Sequence, residues 1–212
     1  MVHKIGELYV EGKDPSRFNE IVNDVMNGKI EIEEGKTAPK LDEEYSQKLG
    51  EHLKNLREFT LKIGMDYPGH TEYQFKYDLM PPNEYYVTGF IDRIVIKDGK
   101  YFILDYKTTK KGPWRKNKNT VLKDLQLRLY ANVVHKEFGV DPENIHCCLY
   151  YLDGGNLVGA TYNKQSMEEA EKELLDTYIQ IHNLDPAKVK GTVGSHCNRC
   201  PFRNLCMWNA LS

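Results

Sequence analysis

Long hydrophobic runs are missing from this sequence: none approaches the roughly 20 apolar residues that a membrane-spanning helix needs. Met1-Val2-His3 opens no secretory signal, so the expected location is cytoplasmic, in a bacterial or phage-infected cell. An excess of one charge is also missing. The 29 Lys and Arg against 31 Asp and Glu leave a net charge of −2, which excludes a chain that coats nucleic acid through bulk charge. Any such contact must come from a local patch. Cysteine is scarce and odd in number: of five, two are adjacent at Cys147 and Cys148 and three crowd the end, a pattern that excludes a disulfide framework. No internal repeat or linker breaks the chain, and 212 residues suffice for one core but not for a helicase or polymerase as well.

What is present reads as α+β, with helices before and after a mixed sheet. Helical spacing runs over residues 3–10, and Asp14-Pro15 supplies an N-cap and first turn for a helix carrying Phe18, Ile21, Val22 and Val25, ended by Gly28. Leu41, Tyr45, Leu49, Leu53, Leu56 and Ile63 then recur at helical intervals up to Gly64. Strands are expected over 71–79, 85–96 and 100–107, a helix over 121–138, and a second hairpin from 144–152 and 156–162 about Asp153-Gly154-Gly155. Ser166 is the expected cap of a last helix reaching His182.

The stretch GFIDRIVIKDGKYFILDYKT, residues 89–108, carries the chemistry. Asp98-Gly99 is the dipeptide of a type I′ hairpin, and pairing Lys97 with Lys100 places Ile94 across from Ile103 and Asp92 across from Asp105. Lys107 shares their sheet face, whereas Arg93 points to the other. Two carboxylates about 5 Å apart repel by about 3 kcal/mol at an effective dielectric near 20, so the pair calls for a cation. Mg²⁺ or Mn²⁺ fits an oxygen-donor set, and an ammonium beside it can orient a water and stabilise charge building on a phosphate. The plainer alternative is that Lys107 neutralises both acids and the hairpin is only core.

Asp92 followed by Asp105-Tyr106-Lys107 on the next strand resembles the PD-(D/E)XK nuclease superfamily, and GFIDR with LDYKT is similar to its RecB-type branch. Gln126 and Tyr130 in DLQLRLYA fit the Q-x-x-x-Y element of that branch, His3 matches its helical metal-binding His, and Glu72 in HTEYQF resembles the acid of its preceding strand, whose role there is less direct and accessory. The resemblance implies a restriction-endonuclease-like fold: a central mixed sheet with flanking helices and a Cys-rich C-terminal segment. It also implies a single nuclease domain over 1–212, with a helical part over 1–69, a catalytic core over 70–184 and a tail over 185–212. Its implied catalytic set is Asp92, Asp105, Lys107, Gln126, Tyr130 and Glu72, with Mg²⁺ or Mn²⁺ on His3, Asp92, Asp105 and the Tyr106 carbonyl.

The composition leaves its basic patch to one loop. Lys110, Lys111, Arg115, Lys116 and Lys118 surround Trp114, a combination suited to tracking a phosphate backbone and stacking on an unpaired base; a merely solvated loop reads the same. In the tail, Cys197, Cys200 and Cys206 are spaced to converge on one metal. The tail is similar to that of AddB and the iron–sulfur CRISPR-associated exonucleases, which implies a [4Fe-4S] cluster. Zn²⁺ and reduced thiols stay open as alternatives. Those proteins have a fourth Cys upstream of the motif His; here a shortened start, a substitute ligand such as His196, Cys147 or Cys148, or loss of the metal are all open. The resulting expectation is a metal-dependent deoxyribonuclease, an exonuclease on single-stranded or end-processed DNA in recombination, repair or phage and defence DNA processing. A helicase or recombination protein is the expected partner. A structure-specific endonuclease and a noncatalytic DNA-binding subunit of a helicase–nuclease complex are the alternatives.

Overall fold

The computed structural model describes residues 1–80, 85–185 and 187–206. Two compact units result, Met1–Lys172 and Glu173–Ser212. In the first, helices α1 (Val2–Gly12), α2 (Phe18–Met26) and α3 (Glu43–Ile63) precede strands β1 (Gly69–Met80), β2 (Tyr85–Lys97) and β3 (Lys100–Lys107). Helix α4 (Leu125–Phe138), strands β4 (Ile145–Tyr151) and β5 (Asn156–Thr161), and the start of helix α5 (Lys164–His182), which continues into the second unit, follow. The sheet runs β1-β2-β3-β4-β5; only β3 and β4 are parallel. This is the mixed five-stranded, helix-flanked α+β architecture of a restriction-endonuclease-like fold. In the second unit, α5 gives way to short 3-10 turns at Ser195–Arg199 and Arg203–Leu205.

Local chemistry sets the element ends. Asp98 and Gly99 both have positive φ, 51° and 75°, which is the type I′ geometry that matches strand twist, and Lys97 pairs with Lys100 as the turn demands. The 121–138 helix is broken where one element was expected. Val121–Lys123 forms a 3-10 turn, and Asp124 takes an extended conformation so that its carboxylate can accept from the Leu127 N–H and cap α4. Likewise Asn163, not Ser166, caps α5, its side-chain oxygen accepting from the Ser166 N–H at 2.8 Å. The α2 segment begins with a 3-10 turn capped by Asp14 and ends at Met26, before Gly28.

The sheet is covered on both faces. Ile5, Tyr9, Phe18, Ile21, Val25, Leu53 and Leu56 of the first three helices pack with Tyr106, Tyr150 and Leu152 in one apolar cluster. On the opposite face lies α4, where Leu127 O accepts from the Cys147 thiol and Tyr130 packs edge-on to Phe75. Lys107 and Asp105 therefore face α4, while Tyr106 between them faces α1–α3.

Candidate active site

The site lies in a fork between strands. The β2–β3 ladder runs from the turn to Arg93↔Leu104 and stops, one residue short of the Asp92–Asp105 position that its register would reach. Below that point β2 continues against β1, with Tyr73↔Ile91 paired, and β3 continues against β4, with Asp105↔Leu149 and Lys107↔Tyr151 paired. Backbone groups inside the fork need other partners. The Tyr106 N–H donates to Asp92 Oδ2 at 2.6 Å, and the Tyr106 carbonyl lies 3.1 Å from His3 Nε2. His3 Nδ1 stands 3.5 Å from Asp92 Oδ1, so the first turn of α1 is tied to both strands.

Donor atoms of His3, Glu72 and Asp92 all lie within 4.8 Å of one another, the one such group of three His, Cys, Asp or Glu among the described residues. Asp105 completes the acid set from the α4 side. It is 3% exposed, with Lys107 Nζ 2.7 Å from Oδ2. That approach is off the hydrogen-bonding direction, and the buried Oδ2 has no aligned donor. Lys107 instead donates to Gln126 Oε1 at 2.9 Å, Gln126 Nε2 donates to the Tyr130 hydroxyl at 2.7 Å, and that hydroxyl donates to the Phe90 carbonyl at 2.8 Å.

A family model described as the PD-(D/E)XK nuclease superfamily matches residues 1–207. The chain belongs to the PD-(D/E)XK nuclease superfamily. Among solved structures it is similar to a "Putative exonuclease" from Eubacterium rectale, at 14% identity and a TM-score of 0.51, covering 96% of this chain and 72% of that one. It is also similar to SSO0001, at 16% identity and a TM-score of 0.47, covering 97% and 84%. No curated protein matches.

PD-(D/E)XK nucleases generally use Mg²⁺ or Mn²⁺, and the electrostatics of this fork suit such an ion. Burial, then the neighbouring Asp92 charge, pushes the Asp105 carboxyl up to about 6 against the pull of Lys107. Burial and Asp92 also raise Glu72. The imidazole of His3 is also raised, chiefly by its hydrogen bond to Asp92, which for a base favours the charged form. Crowded carboxylates that Lys107 and His3 only partly offset, and a buried Asp105 oxygen met by the Lys107 ammonium alone, are the features a divalent cation would relieve.

Glu72 carries more of the site than its sequence suggests. Its φ of 45° is in the left-handed region, although both neighbours pair normally with β2, Thr71 with Arg93 and Tyr73 with Ile91. A non-glycine residue there is strained by about 1–3 kcal/mol, and here the strained residue is the one that adds its carboxylate to His3 and Asp92. Glu72→Gly is expected to stabilise the chelated protein by about 1 kcal/mol while weakening Mn²⁺ binding. Chemical denaturation in chelator and a calorimetric Mn²⁺ titration read the two effects; a destabilised variant with parental affinity overturns the assignment.

The basic loop divides into two kinds of residue. Lys110, Lys111 and Lys118 are exposed, Lys116 reaches toward Asp124 at 3.7 Å, and Trp114 is 86% exposed. Arg115 does not join them. Its side chain is 9% exposed and donates to the Thr109 carbonyl and to the Asp153 carbonyl and carboxylate, with the guanidinium 4.8 Å from the Tyr151 ring centroid. An Arg held by this many acceptors is a staple for the loop, not a phosphate contact. Arg115→Ala should cost about 1–3 kcal/mol in urea denaturation, because the two carbonyls lose their donor. A cost below about 0.5 kcal/mol would remove that role.

In the second unit Cys197, Cys200 and Cys206 are free thiols, partly buried. Among the described residues these thiols are not part of any group of three gathered donor atoms such as the fork holds.

Proposed function

We propose that the protein is a metal-dependent DNA exonuclease of the RecB type, acting on single-stranded or end-processed DNA. The observation that carries this reading is the fork, where Asp92, Glu72 and His3 converge beside a buried, underpartnered Asp105 with the Lys107 ammonium against it. His3, Asp92, Asp105 and the Tyr106 carbonyl, with Glu72, would hold Mg²⁺ or Mn²⁺. When bound, such an ion supplies Lewis-acid polarisation of the phosphate and a water of lowered pKa. The protein's own part is positional. Burial fixes the carboxylates before substrate arrives, α1 brings His3 to the β2–β3 fork, and Lys107 places a positive charge where negative charge grows on phosphorus oxygens. The exposed lysines after Lys107 lie in sequence where a strand leaving the site would need neutralising.

The Eubacterium rectale neighbour is itself named a "Putative exonuclease", which supports the exonuclease reading. End-labelled linear DNA and closed circular single-stranded DNA, each incubated with Mn²⁺, Mg²⁺ or chelator, provide the test. Release of label from linear DNA only, and only with metal, is the expected result. Cutting of the circle would make the protein an endonuclease, and cutting in chelator would remove the metal from the reaction.

A further inference from the structure

We propose that the exposed face of the β1–β2 arm seats the nucleotide next to the scissile phosphate, with the Phe90 ring as the surface on which its base stacks. The proposal deepens the nuclease reading and rests on it for the identity of the strand. It starts from the two faces of one ladder. On the inner face Phe75, Tyr77 and Ile91 are buried. The Phe75 ring lies where a side chain at Gly89 would stand, 2.9 Å from its Cβ position, and the Tyr77 hydroxyl donates to Glu171 at 2.9 Å. On the outer face Gln74, Lys76 and Asp78 of β1 pair with Phe90, Thr88 and Tyr86 of β2, and all of them are exposed. Polar residues suit such a face, yet Phe90 is 51% exposed there, a large ring whose burial would be favourable.

The place of this ring in the ladder points to its occupant. Gln74 follows Glu72 by two residues on β1, Phe90 precedes Asp92 by two on β2, and Gln74 and Phe90 are partners. They form the rung next beyond the acids, about 7 Å along the strands. A phosphate held at the fork carries its nucleoside within reach of that rung. The rung is also rigid. The Phe90 carbonyl accepts from the Tyr130 hydroxyl at 2.8 Å, and Tyr130 packs edge-on to Phe75 behind it. Charge on this outer face amounts to Lys76 and Asp78, which offset each other, and Lys76 Nζ already faces the Tyr86 ring, 4.3 Å from its centroid. A nearly neutral surface with an open ring and the Gln74 amide opposite suits an uncharged base, while the phosphate's charge is met at the fork by Lys107. Bases inside a duplex keep their faces against their neighbours, so the ring favours an unpaired nucleotide.

Cleavage kinetics of the full chain in Mn²⁺, on oligo-dT and on a blunt-ended duplex, test this. Phe90→Ala keeps the backbone carbonyl that receives the Tyr130 bond and removes only the ring. It is expected to raise KM for oligo-dT about 10-fold with kcat within about 2-fold of the parent, and to leave KM for the duplex unchanged. Phe90→Trp should restore the parental KM. An abasic nucleotide beside the scissile bond should cost the parent the same factor and cost Phe90→Ala nothing further. A parental KM in Phe90→Ala, a loss in kcat alone, or equal losses on both substrates overturns the stacking role. A second measurement needs no cleavage: oligo-dT carrying one 2-aminopurine, bound to the Lys107→Met protein in Mn²⁺, should be quenched at one position of the strand, and adding Phe90→Ala should restore its emission. A quench that Phe90→Ala does not move also overturns the role. If the parent cleaves neither substrate the nuclease reading falls, and the quench still decides whether Phe90 stacks a base.

Discussion

Asp105→Asn should abolish cleavage and, in chelator, make the protein harder to melt. The two effects have one cause. Asp105 is 3% exposed, faces Asp92 across the fork, and keeps one oxygen without an aligned donor. A rise of its pKa from 3.8 to about 6 means the folded state pays of the order of 3 kcal/mol to keep the carboxylate ionised at neutral pH. For an acid raised on folding, the penalty is absent below the unfolded pKa and complete above the folded one. The parent's stability in chelator should therefore fall as pH rises from about 4 to 6 through this group. Asn keeps the shape and removes the charge. Allowing for the loss of Lys107's partner, the expected gain is about 2–3 kcal/mol, or a Tm higher by roughly 4–12 °C in a chain of this size, with that pH slope gone. Cleavage should fall by about 10³-fold or more, since the residue would no longer help hold a cation at the scissile phosphate. Mn²⁺ should then raise the Tm of the parent more than that of the variant. If Asp105 served only as the counter-ion of Lys107, Asn would lower the Tm; that result would turn the pair into a structural ion pair.

Much of this site is legible in the sequence because its chemistry is local. Asp98-Gly99 fixes the register of the hairpin, and alternation then puts Asp92, Asp105 and Lys107 on one face without knowledge of the rest. Strand β3 spans 100–107 in both readings. The fork is not legible, since β2 and β3 part only because β1 and β4 hold them, and neither partner shows in the residues of the hairpin itself. Glu72 reads as accessory for a similar reason. Its positive φ follows from its place between β2 and α1, whereas an alternating strand such as Thr71-Glu72-Tyr73 announces nothing unusual. Arg115 and its neighbouring lysines look alike in composition, and only the acceptors of Thr109 and Asp153 separate a staple from free charge. Asp124 did carry a signal, an N-cap residue before an apolar run, but Val121 and Leu122 extend the apolar spacing past it and hide the break.

The other large effect belongs to Lys107. Lys107→Met is expected to lower the single-turnover cleavage rate on end-labelled linear DNA by about 10²–10⁴-fold at saturating Mn²⁺, with the fold and metal affinity retained. Its ammonium is not simply drawn to the nearest carboxylate. Gln126 presents Oε1 to Lys107 because its Nε2 is committed to the Tyr130 hydroxyl, and that hydroxyl is committed to the Phe90 carbonyl, two residues before Asp92 on β2. One chain of three hydrogen bonds thus fixes the amide's orientation and refers the ammonium back to the strand that carries the opposing acid. The arrangement ranks the variants. Lys107→Arg should not restore the rate, since a planar guanidinium cannot take the place of a compact ammonium between Asp105 and Gln126. Gln126→Ala should lose about 10-fold, because Lys107 remains but is less well placed, and Tyr130→Phe should lose less, since only the amide's orientation is freed. Parental rates for Lys107→Met, or an equal loss in Lys107→Met and Tyr130→Phe, would leave the ammonium without a catalytic role and make the chain of bonds a packing feature of α4.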